Sequence, residues 1–338
     1  MAQRKTEGTA EMMRPPSAAT NRSWAPDVAA YLEELIRQPS VSYSADADAL
    51  WSEVLARNER VVSRHAERIH PAYVEGLKAL QLPPRVPRAD ELNDRLRATG
   101  WRVVVVDGYL PATTYASLMA ESIFPVSSRI RRREQIDFAP EPDMVHDILG
   151  HLPMLFCPEH RDYLRELATY ASRATPNDLD AEYHEAVRAA AELKSAPGGA
   201  AADVAAAEAA LAQVYVKLAG NASQVTCLRR IYIWSIEFGL FGGDGEVSVH
   251  GAALMSAPTE LSRVLSGAAR LEPYSLSAIG HENEFSDLLE RYFVARDYGH
   301  LHDVLSAYAA SMQGSMPGTS EVRELRPQPF DAVRRSNA

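Results

Sequence analysis

Two histidines five positions apart, His146 and His151, stand in the run Glu141-Pro-Asp-Met-Val-His146-Asp-Ile-Leu-Gly-His151-Leu-Pro153. Imidazole nitrogens set among apolar residues and next to carboxylates suit metal ligation, and a third ligand should then come from another buried element. The segment Arg230-Ile-Tyr-Ile-Trp-Ser-Ile-Glu237-Phe-Gly-Leu240 offers one. On a helix Glu237 would share a face with Ile233, Trp234 and Leu240, and an ionised glutamate on an apolar stripe is costly unless paired or bound to a cation. Two histidines and one carboxylate form a facial triad that leaves half of an octahedral ion's positions open, the pattern of non-haem Fe(II) oxygen chemistry.

The spacing constrains how this works. Residues five apart on an ordinary α-helix are rotated about 140° from one another. Gly150 and Pro153 therefore predict a helix that ends in a left-handed glycine, so that His151 swings back toward His146. This differs from the His-Glu-x-x-His arrangement of zinc proteases, where both ligands share one helical face. Taken singly, a histidine in an apolar helix is more often a hydrogen-bonded core residue, and a buried glutamate more often the partner of an Arg or Lys; it is their joint appearance with Gly150 and Pro153 that brings the metal level with these. The residues alone leave the metal and the polar-core origins both open.

The elements that would carry these groups are mostly helical. Tyr31, Leu32, Leu35 and Ile36 recur at helical spacing, and a long helical region runs from about Ala47 to Leu80, ended by Leu82-Pro-Pro-Arg-Val-Pro87. Asp90 to Thr99 reads as a short helix, Trp101 to Val106 as the clearest strand, and Pro111 to Glu121 as a helix. Ser127 to Phe138 alternates loosely. From Asp143 the pattern is almost wholly helical, with a short extended piece at Glu246 to His250 and helix again from Glu284 to Met312. The Ala-, Asp- and Glu-rich stretch 176–214, broken by Pro197-Gly198-Gly199, reads as a solvent-exposed helical hairpin (Ala181–Lys194 and Ala201–Leu218), an insertion rather than a site. The expected organisation is a disordered tail over 1–25, one catalytic domain over 26–312, and a disordered tail over 313–338. No terminal heptad array is visible to drive oligomerisation.

Bulk properties narrow the classes. The 338-residue chain is 46% hydrophobic, enough for a sizeable core. Its formal net charge of −10 argues against nucleic acid as a partner. Two cysteines, Cys157 and Cys227, supply no disulfide framework and fit a reducing compartment. No apolar run approaches a membrane span, and the polar N-terminus lacks a secretion signal's apolar core, so a cytoplasmic protein is expected.

The segment Pro142-Asp-x-x-His146-Asp-x-x-Gly-His151-x-Pro153, with Ile236-Glu237-Phe-Gly-Leu240, resembles the pterin-dependent aromatic amino acid hydroxylases, most closely the short bacterial phenylalanine hydroxylases. The likeness continues through Leu92-Asn-x-x-Leu96, Gly100-Trp101, Gly108-Tyr-Leu110, Phe124-Pro-Val, His250-Gly-Ala-x-Leu-x-Ser256 and Glu284-Phe-x-x-Leu-x-x-x-Tyr-Phe-Val294, over roughly residues 50 to 310.

The resemblance implies a mainly α fold with small β elements, the catalytic domain of an aromatic amino acid hydroxylase around a mononuclear iron. It implies that His146, His151 and Glu237 hold Fe(II), that a tetrahydropterin (tetrahydrobiopterin or a relative) supplies two electrons, and that molecular oxygen hydroxylates the ring of a free aromatic amino acid. L-Phenylalanine to tyrosine is the first expectation. The pterin side would comprise Gly108, Leu110, Tyr115, Asp147 and Tyr232. The substrate side would comprise Arg131, gripping the carboxylate, with Pro142, Ile233, Phe238 and Ser256. A bidentate arginine suits a carboxylate.

Departures bear on specificity. Ile233 stands where phenylalanine hydroxylases often carry Trp and tryptophan hydroxylases Phe, and Ala139 occupies a variable substrate-side position. His250 replaces a usual Tyr, and Ala253 a Gly. The family's regulatory domain and tetramerisation helix have no counterpart, so a monomer or weak dimer is expected. The competing expectations are a tryptophan hydroxylase, a phenylalanine hydroxylase of different regiochemistry in specialised metabolism, a zinc metallohydrolase, and a non-catalytic metal-binding protein.

Overall fold

A computed structural model of the chain describes residues 42–137, 139, 142–195, 200–243, 246–282 and 289–314. Both expected tails, the helical pattern at Tyr31 to Ile36, and Phe138 and Glu141 lie wholly or mostly outside those residues. The described architecture is mainly helical with two small sheets, as expected.

Helices α1 (Ala45–Arg64) and α2 (Pro71–Leu80) divide the long helical region at His65–His70, where Ile69 bridges to Val249. α3 (Ala89–Leu96) leads into β1 (Arg102–Val106). α4 (Ala112–Ala120) then crosses to β2 (Ile123–Ser127), which pairs with β1 in parallel, Val103 opposite Phe124. After the histidine segment come α5 (Pro158–Ser172), α6 (Asp178–Ser195), α7 (Ala201–Gly220) and α8 (Gln224–Tyr232). The second sheet has the order β4-β3-β6-β5, with β3 Leu240–Gly243, β4 Glu246–Val249, β5 Arg270–Pro273 and β6 Arg291–Ala295. Short helices α9 (Ala252–Ser256) and α10 (Pro258–Leu265) sit between β4 and β5, and α11 (Tyr298–Gly314) closes the described chain.

Two expectations are corrected here. Of the helix expected over Glu284 to Met312, residues 284–288 lie outside the described residues, and from 289 the chain is helical only from Tyr298: Arg291-Tyr-Phe-Val-Ala is β6, held between β3 and β5 in parallel register. Its β-branched and aromatic content is strand-like, and the helical pattern around it masked that signal. The loose alternation over Ser127 to Phe138 predicts extended chain, but among its described residues only Ser127, the end of β2, belongs to a strand.

One core runs from α1 to α11, with Trp51, Trp101 and Trp234 fully buried in it. Near the second sheet it contains a cluster of rings: His250 stacks on Phe241 at 4.1 Å, with His70 and Tyr298 edge-on around them. His250 Nε2 donates to the Ser235 carbonyl (3.1 Å), and its Nδ1 has no partner. Burial, reinforced by His70, pushes the His250 pKa down to about 3. The unfolded chain therefore takes up this proton first, and the group's contribution is lost as pH falls below about 6.5. Replacing His250 with Phe should flatten the decline of urea-unfolding stability between pH 7 and pH 5 by about 2 kcal/mol. An unchanged decline would show that His250 does not carry it.

Candidate metal centre and its cavity

His146–His151 is a π-helical turn, followed directly by a 3-10 turn over Leu152–Phe156. Hydrogen bonding from i to i+5 widens the helix, so residues five apart return to nearly the same side. This replaces the expected left-handed helix end. Gly150 stays inside the turn, and its value is closeness: a Cβ there would stand 2.6 Å from the Ala252 carbonyl oxygen of α9. Gly76 on α2 does the same against Pro153, where a Cβ would fall 1.9 Å from the carbonyl oxygen. The buried Tyr73 hydroxyl donates to the Leu149 carbonyl (2.7 Å), occupying an acceptor within the π turn.

Glu237 closes a second π-helical turn, Ile233–Glu237, marked by the Phe238 amide donating to the Ile233 carbonyl (2.9 Å). The two turns face each other. His146 Nε2 and His151 Nε2 are 3.1 Å apart, and each lies 3.2 Å from a Glu237 carboxylate oxygen. These are the three residues, among those described, grouped as a metal could use them.

The donor set fits a divalent metal. Ser256 Oγ donates to the Ala252 carbonyl (2.9 Å), so it accepts from His146 Nδ1 (3.0 Å), and the neutral ring then presents an unprotonated Nε2. Bonds of about 2.1 Å at right angles would set neighbouring donors about 3 Å apart, which is the spacing seen. Burial alone would raise the Glu237 pKa, but the two imidazoles more than reverse this and hold it well below the carboxylate range. Burial lowers the His151 pKa, with Glu237 opposing, whereas Glu237 outweighs burial at His146 and raises it. If Ser256 fixes this tautomer, Ser256→Ala should weaken Fe(II) binding by about 10–100-fold in an anaerobic titration. An unchanged affinity would remove that role.

A cavity of about 420 Å³ opens on this centre and is lined by His146 and Glu237. Of the residues expected on the substrate side, Arg131, Pro142, Ile233, Phe238 and Ser256 all line it. On the pterin side Leu110, Tyr115 and Tyr232 line it, with the Tyr115 and Tyr232 hydroxyls 3.3 Å apart. Gly108 and Asp147 are not among the lining residues. Gly108 has a φ of +82°, which favours glycine in the turn between β1 and α4. Asp147 is buried and accepts the Ser127 amide (2.7 Å); burial drives its pKa up to about 7, with the His146 charge opposing.

Sequence reasoning missed Asp143. Its carboxylate takes Arg131 Nη2 (2.8 Å), Arg131 Nε (3.1 Å) and the amides of Arg131 (2.6 Å) and His146 (3.0 Å). It thus ties the arginine to the first metal ligand, and Arg131 Nη1 donates to the Ser256 carbonyl (3.1 Å). The signal was present as an acidic residue three before His146 and twelve after Arg131.

The hairpin is also corrected. Its helices form where expected, but they are neither wholly solvent-exposed nor remote: Tyr183, Val187, Ala191, Leu211 and Tyr215 line the same cavity.

A profile of the biopterin-dependent aromatic amino acid hydroxylases matches residues 17–182 and 201–318. The chain belongs to that family. Among curated hydroxylases, phenylalanine-4-hydroxylase of Vibrio cholerae is 26% identical over 294 residues, covering 84% of this chain and 85% of its own. The chloroplastic phenylalanine 4-monooxygenase of Chlamydomonas reinhardtii is 26% identical over 306 residues, covering 88% and 70%. The crystal structure of Chromobacterium violaceum phenylalanine hydroxylase with bound iron(III) and 7,8-dihydrobiopterin superposes with a TM-score of 0.61 at 24% identity, covering 81% of this chain and 85% of that one. At that identity the likeness shows the hydroxylase fold.

Proposed function

We propose that this chain is a pterin- and Fe(II)-dependent monooxygenase that hydroxylates the ring of a free aromatic amino acid, with L-phenylalanine to tyrosine as the leading reaction. The convergence of His146, His151 and Glu237 at a largely apolar cavity carries the reading. Family membership and the relatives' names support it.

His146, His151 and Glu237 would hold the iron, which with reduced pterin supplies oxygen activation. The chain's own residues do the rest. Arg131, steadied by Asp143, would receive the substrate carboxylate with the Nη2–H it does not spend on Asp143, Nη1 being directed at the Ser256 and Ile136 carbonyls. Pro142, Ile233 and Phe238 would bound the ring, and which carbon they aim at the metal sets the product. Leu110, Tyr115 and Tyr232 would bound the pterin. Asp147 and Gly108 act on that side indirectly, through β2 and the β1–α4 turn. The apolar walls exclude water from the reacting atoms.

A second reading keeps the chemistry and moves the target to tryptophan or to another carbon of phenylalanine, because Ile233 leaves space that a larger ring would fill. No described helix is long and apolar enough to cross a membrane. Cytoplasmic location and a monomeric or weakly dimeric state belong to the proposal.

Incubation of purified protein with Fe(II), tetrahydropterin, oxygen and a mixture of aromatic amino acids, with product identification, tests the reading. Tyrosine from phenylalanine is expected. Zinc at stoichiometry with no pterin-dependent oxygen uptake would overturn it.

A further inference from the structure

A free amino acid brings two charges into the cavity, and Arg131 answers only one of them. The carboxylate would go to the guanidinium; the α-ammonium needs an acceptor of its own. An ammonium moved from water into a largely apolar space is costly unless a negative charge receives it. Asp143 is not free to do so, because its oxygens are spent on the Arg131 guanidinium and on the amides of Arg131 and His146.

Four carboxylates line the cavity among the described residues: Asp180, Glu208, Glu237 and Glu260. Glu237 belongs to the metal centre. Glu208 is paired with Lys194 at 3.0 Å. Asp180, at the foot of the hairpin, accepts from Ser223 Oγ and Thr226 Oγ1 through Oδ1, both 2.9 Å, and from the Asn177 amide through Oδ2 (2.7 Å).

Glu260 differs from these three. It is only 3% exposed, and both of its hydrogen bonds fall on one oxygen: Oε1 accepts from the Tyr292 hydroxyl (2.6 Å) and from the Leu289 amide (3.4 Å). Oε2 has no partner among the described residues and is not sealed away from open space. Arg263, one turn further along α10, acts on the carboxylate only at longer range, and burial, opposed by the Tyr292 bond, raises its pKa. The chain also ties this carboxylate to Arg131. Glu260 stands in the first turn of α10, four residues after Ser256, whose carbonyl takes Arg131 Nη1 (3.1 Å). Ser256 and Ala257, which link the two, line the same cavity.

Resting on the reading above, we propose that Glu260 receives the α-ammonium of the substrate while Arg131 receives its carboxylate, so that the cavity reads the whole zwitterion and not only the ring. The Arg131–Asp143 pair is neutral, which leaves Glu260 as the surplus negative charge on the substrate side. An analogue without the amine would leave that buried carboxylate unanswered, and a site built around a polar group rejects ligands that lack it.

Two variants test this on the Fe(II)-loaded protein. Glu260→Gln keeps an oxygen for Tyr292 and Leu289 and sets an amide N–H in place of Oε2. Tyr292→Phe removes the tie to β6 and keeps the carboxylate. Anaerobic calorimetry would compare L-phenylalanine with 3-phenylpropanoate and L-3-phenyllactate, and L-tryptophan with indole-3-propanoate, beside a tetrahydropterin; turnover would be followed aerobically. The parent should bind at least one of the amino acids about tenfold or more tighter than its analogue without the amine. In Glu260→Gln that ratio should fall by about tenfold with tetrahydropterin affinity unchanged. In Tyr292→Phe the ratio should stay at the parent value while the melting temperature drops. Equal binding of both amino acids and their amine-free analogues by the parent would overturn the assignment without any variant. So would a loss in Glu260→Gln shared equally by all ligands, or one reproduced in Tyr292→Phe, since either marks a carboxylate that only holds β6. Absence of pterin-dependent turnover with either amino acid, the discrimination standing, would instead sink the monooxygenase reading and leave Glu260 as the amine anchor.

Discussion

Replacing Glu237 with Gln should abolish pterin-dependent oxygen uptake, by well over the factor of about 100 that bounds the loss of an outer partner of a metal ligand. The reason is geometric and electrostatic together. Glu237 alone faces both imidazoles, at 3.2 Å from each, and supplies the only negative charge in the set. An amide of the same shape keeps the packing but presents a weaker oxygen donor and an N–H group to the centre. Iron content after anaerobic loading, and the rise in melting temperature on adding Fe(II), should collapse together with turnover. In the parent, Fe(II) at 100 times its dissociation constant should add about 2.7 kcal/mol to stability. A Glu237→Gln protein that still turns over would remove the metal centre from the mechanism.

The second large effect is expected at Asp143. Arg131 and Asp143 form a nearly dry pair, with side chains 2% and 7% exposed. Asp143→Asn leaves a buried guanidinium without its counter-charge and sets an amide N–H against backbone donors that now bond to a carboxylate. A loss of about 3–5 kcal/mol is expected from breaking such a pair. Arg131→Met should cost less, because Asp143 keeps the amides of Arg131 and His146. Its signature should be kinetic: a raised KM for the amino acid with little change in the KM of the pterin. Urea unfolding and steady-state kinetics on both variants check the asymmetry. Equal destabilisation, or a pterin-selective KM change, would contradict the assigned role of Arg131.

The residues that do chemistry were legible in the sequence because their types are expensive in an apolar setting. His146, His151 and Glu237 stood out for that reason, and the geometry brings them together. How the chain brings them together was not legible. A π turn is a choice of hydrogen-bond register, and residue identity hardly marks it; Gly150 suggested a helix end because its packing partner, the Ala252 carbonyl, lies a hundred residues away in sequence. Asp143 escaped notice because its importance depends on a partner twelve residues earlier that folds back onto it. The strand β6 was hidden for a similar reason, since its parallel neighbours β3 and β5 are distant or intervening segments. The hairpin's helices were read correctly from composition, but no local pattern could tell that one face would look into the cavity.

The feet of that hairpin almost touch. Thr175 reaches across the gap, its amide donating to Gln224 Oε1 (2.9 Å), and Asn177 Nδ2 donates to the Asn221 carbonyl (2.9 Å). The two ends of a 40-odd-residue excursion are therefore already joined by polar bonds, and closing such a gap with a short turn carries a modest entropic penalty. A short turn between those feet would therefore leave the helices that carry the metal ligands in register, and would remove only the stretch of cavity wall that the excursion supplies.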